Sequence, residues 1–225
     1  MSSVACFAIE SDKAYFFKRS DYARIDNINV GKGGDTLAAG PSTIAKTWPS
    51  LAQAGFTTVD AALDMGGGTA YFFSGTQYAR VDNIGVGKGG DTLGAGPTNI
   101  TAAWPSLAKA KFTTVDAVLS MGGGTAYFFS GTQYARVDNI GVGKGGDTLG
   151  AGPTLITAGW PSLAKAKFTI VDAVLGMGSG KAYFFSGSLY ARIDNINVGH
   201  GGDTLGAGPS EVASSWESLH KAGFW

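Results

Sequence analysis

Thr69-Ala70-Tyr71-Phe72-Phe73-Ser74-Gly75-Thr76-Gln77-Tyr78-Ala79-Arg80-Val81-Asp82 is the stretch that decides the fold. Thr69 to Ser74 is rich in β-forming aromatics, Gly75-Thr76-Gln77 supplies a turn, and Tyr78 to Asp82 alternates as a strand, so the segment reads as an antiparallel hairpin. Its three aromatics are adjacent instead of alternating with polar residues. A strand of that kind is covered on both faces, and this hairpin cannot cover both of its own.

Working outward, the same phrase returns. Tyr15, Tyr71, Tyr127 and Tyr183 each open a Tyr-Phe-Phe triplet, and Asp26, Asp82, Asp138 and Asp194 each close an Ala-Arg-x-Asp phrase, always 56 residues apart. Trp48, Trp104, Trp160 and Trp216 keep that step, and four units of 56 account for 224 of the 225 residues. From Asp60 and Asp116 onward, the second and third units differ only at 62/118, 64/120, 99/155, 103/159 and 114/170. Each unit reads as four strands and a short helix. In the second unit these are Val59 to Leu63, ended by Met65-Gly66-Gly67-Gly68; the two strands of the hairpin; a fourth around Asp91 to Ala95; and a helix Asn99 to Ala103, capped by Thr98 and ended at Trp104-Pro105.

Four such units stacked around an axis bury both faces of every sheet, which predicts an all-β, four-bladed β-propeller, each blade a four-stranded antiparallel sheet plus a short helix. The domain is single, 1–225, with blades 1–56, 57–112, 113–168 and 169–225. Tyr71 and Phe73 are expected to face one neighbouring blade and Phe72 the other. Since each blade is one contiguous segment, ring closure should rest on packing between blades one and four.

Composition fits this and excludes alternatives. The chain is 44% hydrophobic, enough for a core, and its 36 Gly and 7 Pro show no period of three. With 17 Lys+Arg against 17 Asp+Glu there is no basic field for nucleic acid or a membrane surface, and no apolar run is long enough to span a bilayer. The N-terminal stretch lacks the basic and apolar regions of a signal peptide, so a cytoplasmic or otherwise soluble protein is expected. Cys6 is the only cysteine; it stands where the other units have Ala62, Val118 and Val174 and reads as a small buried thiol.

The phrases Phe56-Thr57-Thr58-Val59-Asp60-Ala61, Ala-Tyr-Phe-Phe-x-Gly-x-x-Tyr-Ala-Arg-x-Asp and Gly-Pro-x-x-Ile-x-x-x-Trp-Pro-x-Leu together resemble the hemopexin repeat. By phrasing the chain is most similar to albumin-2 type plant seed proteins, photopexin-like proteins and mushroom hemopexin-fold lectins. Units one and four depart at Arg19, Val212 and Glu217. The resemblance implies a central tunnel in which backbone carbonyls at the start of the inner strands hold a cation, and ligands that include haem, polyamines, sugars and proteins. Many members also tie blade one to blade four by a disulfide, for which Cys6 has no partner.

Carried onto this sequence, the tunnel carbonyls are those of Val4, Asp60, Asp116 and Asp172, an oxygen set suited to calcium or sodium. Alternatively, the three Asp side chains cap backbone amides at the blade entry. A ligand-binding set is expected on one rim, where Asp82, Asn83 and Asp91 recur as Asp138, Asn139 and Asp147 and as Asp194, Asn195 and Asp203, the repetition a multivalent sugar-binding protein would use. Structural bonding of Asp82 to Arg80 or a turn amide is the alternative.

Gly85-Val86-Gly87-Lys88-Gly89-Gly90 and its copy at Gly141 to Gly146 match the dinucleotide-loop spacing, but a strand follows where that chemistry needs a helix N-terminus. The four repeat tryptophans are read as packing between blades before sugar platforms, and Trp225 as a plug of blade four against blade one. His200 and His220 are expected in solvent, with haem ligation by His200 the alternative, and no catalytic constellation is present in the sequence. The expectation is a non-enzymatic binding protein with a tunnel cation and a small ligand such as a polyamine or haem; the alternatives are a lectin and a storage or scaffold protein.

Overall fold

The computed structural model describes residues 4–10, 12–28, 34–85, 90–141, 145–197 and 202–225. The first sheet holds β1 (Val4–Glu10), β2 (Lys13–Lys18), β3 (Asp21–Asp26) and β4 (Thr36–Thr43), followed by α1 (Ile44–Thr47) and α2 (Pro49–Gln53). The second holds β5 (Ala61–Gly66), β6 (Thr69–Ser74), β7 (Gln77–Asp82) and β8 (Thr92–Asn99), with α3 (Ile100–Ala103) and α4 (Pro105–Ala110). The third holds β9 (Ala117–Gly122), β10 (Thr125–Ser130), β11 (Gln133–Asp138) and β12 (Thr148–Leu155), with α5 (Ile156–Gly159) and α6 (Pro161–Lys165). The fourth holds β13 (Ala173–Gly178), β14 (Lys181–Ser186), β15 (Leu189–Asp194) and β16 (Thr204–Glu211), with α7 (Val212–Ser215) and α8 (Glu217–Lys221). Each sheet is antiparallel in sequence order, and β1 packs against β5 and β13 while β9 packs against the same two, so the four first strands close a ring. This is a four-bladed β-propeller.

The adjacent aromatics explain why the ring closes. Phe72 lies opposite Ala62 on one side and Ala79 on the other, two small partners that leave room for the neighbouring blade. Phe17 fills that room with its ring edge-on to Phe72 at 5.8 Å, and Trp48 does the same at 5.6 Å. On the opposite face Phe73 meets Phe128 of blade three edge-on at 5.9 Å. The motif recurs as Phe129 with Phe184, and it closes the ring as Phe16 with Phe185. All eight of these phenylalanines are fully buried, and each contributes about 2 to 3 kcal/mol relative to exposure, so the interfaces between blades form the core.

The structure differs from the sequence expectation at four places. The inner strand of blade two starts at Ala61, not Val59, and the fourth strand runs eight residues to Asn99 where a shorter one was expected. Asn99, not Thr98, caps α3: its side chain accepts the Thr101 amide at 3.1 Å, while Thr98 is still in the strand. Trp104-Pro105 does end α3, but Pro105 also starts a second helix, because a proline at the first helical position lacks only an N–H that would be unpaired anyway. Blade four has Glu217 at that position and α8 still forms, an acid being favourable in a first helical turn.

Candidate functional site

The inner strands bring Asp60, Asp116 and Asp172 to one end of the tunnel. Each carboxylate accepts a turn amide of its own blade: Asp60 from Gly75 at 2.7 Å, Asp116 from Gly131 at 2.6 Å and Asp172 from Gly187 at 2.6 Å. The capping role is therefore filled. Blade one has lost both partners together, with Val4 in place of the acid and Arg19, at φ 55°, in place of the glycine. Asp116 is held above the ordinary carboxylate range, first by burial and then by the charges of Asp60 and Asp172, against the Gly131 amide. Asp116 thus lies within reach of the charges of both other carboxylates at the tunnel mouth. Among the described residues no group of three acidic, His or Cys side chains is placed to ligate a metal together, so a cation at this mouth would draw on backbone oxygens with the carboxylates supplying field.

Further along the axis is a cavity of about 140 Å³, lined by Cys6, Ala62, Val118 and Val174 and then by Ala8, Asp64, Ser120 and Gly176. Asp64 is the one acid at its level, and burial raises its pKa while the Gly66 amide, donating at 3.0 Å, lowers it. A groove of about 290 Å³ between blades two and three shares Asp64 and Ser120 and runs on past Met65 and Thr125 to Ile140. Cys6 is buried, and burial pushes its thiol far up, which leaves it without thiolate character.

The expected rim residues divide into three kinds. Asp82, Asp138 and Asp194 pair with Arg80, Arg136 and Arg192 two residues earlier, at 2.9, 3.0 and 2.9 Å. Asn83, Asn139 and Asn195 are exposed, occupy left-handed backbone at φ near 60°, and donate to Thr92, Thr148 and Thr204 at 3.0 Å. Asp91 and Asp147 are buried inside the junctions between blades, where they accept the Ser50 and Ser106 amides at 3.0 and 2.9 Å. Half-buried Asp203 does the same for Ser162 at 2.9 Å. This bonding joins residues of different blades and has no local signature in the sequence. Lys88 and His200 lie outside the described residues, and His220 is exposed, its Nδ1 2.8 Å from the Trp225 carbonyl. Trp48, Trp104, Trp160 and Trp216 are buried packing residues, as the repeat implied.

A propeller whose first strands wall a tunnel and whose junctions repeat one polar cluster is a binding scaffold of hemopexin type. The family model for hemopexin matches residues 59–108 and 115–164. Albumin-2 of Lathyrus sativus is 28% identical over 219 residues, which cover 93% of this chain and 92% of that protein. Among solved structures, a 2S albumin seed protein from Dolichos superposes with a TM-score of 0.87 at 28% identity, covering 98% of this chain and 99% of its own. A plant lectin with two metal-binding sites from Cicer arietinum superposes with a TM-score of 0.86 at 26% identity, covering 98% and 97%. The chain has the hemopexin fold, carries hemopexin repeats in its second and third blades, and is similar along nearly its whole length to the albumin-2 seed proteins. Among the described residues no helix is long and apolar enough to cross a membrane.

Proposed function

We propose that this chain is a non-enzymatic binding protein that recognises carbohydrate at several equivalent positions and holds a calcium or sodium ion in its tunnel. The single observation that supports sugar recognition best is the recurrence of one mixed polar cluster, Tyr-x-Arg-x-Asp-Asn, around one side of the ring, in a fold shared with a plant lectin. The sugar is met on the side that carries Asp82, Asn83 and Asp91 and their copies. The cation is held by the carbonyls of Val4, Asp60, Asp116 and Asp172. The raised Asp116 supports this: a positive ion at the mouth relieves the repulsion that the Asp60 and Asp172 charges exert on its carboxylate. Its contribution is structural, tying the four inner strands to one point.

A second reading rests on Asp64. A lone half-buried carboxylate in the tunnel wall suits the ammonium group of a polyamine, and the groove that continues from it suits an elongated chain. For haem, the histidine expected as its ligand, His200, lies outside the described residues.

The test is erythrocyte agglutination, with inhibition by single sugars, alongside thermal melts in Ca²⁺, EDTA, sugars, spermine and haemin. Agglutination that sugar inhibits, with a melting temperature raised by Ca²⁺ and further by that sugar, is the expected result. A melt that responds to spermine alone, without agglutination, would replace the lectin reading by the polyamine one. Silence from every ligand but the cation would leave a scaffold.

A further inference from the structure

Between blades two and three the side walls do not close. Tyr71, Tyr78 and Arg80 of blade two face Ile140, Gly141 and Asp147 of blade three across a cavity of about 170 Å³, floored by Trp104 and the methyl groups of Ala95 and Ala103. The Tyr71 hydroxyl reaches across to donate to the Gly141 carbonyl at 3.1 Å. The Arg80 guanidinium is held by Asp82 at 2.9 Å and by the Gly94 carbonyl at 3.2 Å, and its Nε is buried with no hydrogen-bond partner. Tyr78 lies within electrostatic reach of Tyr71, Arg80 and Asp147 together.

We infer that this cleft is the carbohydrate site, and that its copies at the other junctions supply the further sites of a multivalent binder. The inference rests on the lectin reading and moves the sugar inward from the exposed Asn83 rim to the wall formed by Tyr78 and Arg80. Three features carry it. The space matches about five or six water molecules at roughly 30 Å³ each, the scale of one sugar ring. The floor is apolar while the edge presents two phenols, a guanidinium and a carboxylate, so both donors and acceptors are offered; the guanidinium is paired with Asp82 and the Asp147 carboxylate is hydrogen-bonded by Ser106. A neutral polyhydroxylated ligand fits that balance; an anion would meet Asp147 and a cation would meet Arg80.

Repetition supplies the valency. Tyr22 with Arg24, Tyr134 with Arg136 and Tyr190 with Arg192 stand at the corresponding positions of the other blades. The reach across the junction recurs too, from Tyr15 to Gly85 at 3.4 Å and from Tyr127 to Asn197 at 3.2 Å. Several weak sites on one rigid ring convert modest affinity into strong attachment to a cell surface.

The experiment titrates the full chain by calorimetry with the methyl glycosides of galactose, N-acetylgalactosamine, N-acetylglucosamine, mannose and fucose, and compares wild type with Tyr78→Phe and with the joint variant Tyr22→Phe, Tyr78→Phe, Tyr134→Phe, Tyr190→Phe. Phenylalanine keeps the ring packing and removes only the hydroxyl. The single change is expected to lower the number of sites by one or to weaken one of them; the joint change is expected to weaken binding about tenfold and abolish agglutination, with the melting curve preserved. Sugar binding unchanged in the joint variant would overturn the cleft and leave the lectin reading standing. Absence of any sugar binding by wild type would overturn both.

Discussion

The Asp91 carboxylate of blade two accepts both the backbone amide of Ser50, at 3.0 Å, and its hydroxyl, 41 residues away in blade one. The same latch joins Asp147 to Ser106, Asp203 to the Ser162 amide, and Asp35 to Ser218, the last bridging blades one and four. The serine sits in the first turn of the second helix of its blade, so a charged acceptor meets amides that the helix itself leaves unpaired.

Asp91→Ala leaves those donors unpaired in a buried junction. A loss of about 2 to 3 kcal/mol is expected, seen as a fall in melting temperature on the order of 4 to 10 °C, with Asp91→Asn milder because one acceptor oxygen remains. A shift under 1 °C for the alanine variant would show that the latch carries no net stability.

This latch marks where sequence reading ran out. The repeat of 56, the Tyr-Phe-Phe triplet and the small partners around it are local patterns, and they sufficed for the propeller and for which face of β6 meets which blade. The Asp91 to Ser50 contact has no local signature, since its partners belong to different blades. A signal existed all the same: the serine that follows Trp-Pro, or Trp-Glu in blade four, recurs in every unit as Ser50, Ser106, Ser162 and Ser218, in step with Asp35, Asp91, Asp147 and Asp203. A small polar residue kept in every copy beside a buried tryptophan calls for a partner. The second helix escapes the sequence for a different reason: Trp104-Pro105 reads as a stop, and proline also serves as a start.

Cys6 is expected to be silent chemically and replaceable. It is 3% exposed, and burial keeps it protonated, so Ellman's reagent should label it only after unfolding. Cys6→Val, the residue of blades three and four at this level, should change stability by less than about 1.5 kcal/mol. Rapid labelling of the native protein would mean that the tunnel admits the reagent.

Asp64 should leave a mark on the pH dependence. Its folded pKa is raised by burial, so as pH rises above the ordinary carboxylate value of about 4 the unfolded chain loses its proton first and the native state retains more protons. Native stability from this group therefore falls as pH climbs through the raised value, and levels off above it. Asp64→Ser, which copies Ser120 of blade three, should remove that part of the slope and raise the melting temperature at neutral pH in EDTA. Parallel melting-temperature curves for the two proteins between pH 4 and 7 would contradict this.

The seam between blades four and one carries a device that the other seams lack. Trp225 stands where the other units have Thr57, Thr113 and Thr169, and its ring stacks on Phe185 at 5.5 Å while its Nε1 donates to the Gly187 carbonyl at 2.9 Å. From blade one, the Lys18 ammonium lies 4.5 Å from the centre of the indole and donates to the Phe224 carbonyl. Burial and the neighbouring Arg19 lower the Lys18 pKa, while Asp172 opposes them, so the charge is drawn into the seam at some cost. These contacts stand in for the covalent tie that a lone Cys6 cannot make. Trp225→Thr removes a stacked aromatic pair and a cation–π contact together, a loss of about 1 to 2 kcal/mol. The effect should be local: faster amide hydrogen exchange in β1 and β14, with β6 and β10 unchanged, because the buried phenylalanines of the other three seams are untouched. Exchange that accelerates equally in all four blades would mean that the ring opens only by global unfolding, and that Trp225 adds stability without guarding the seam.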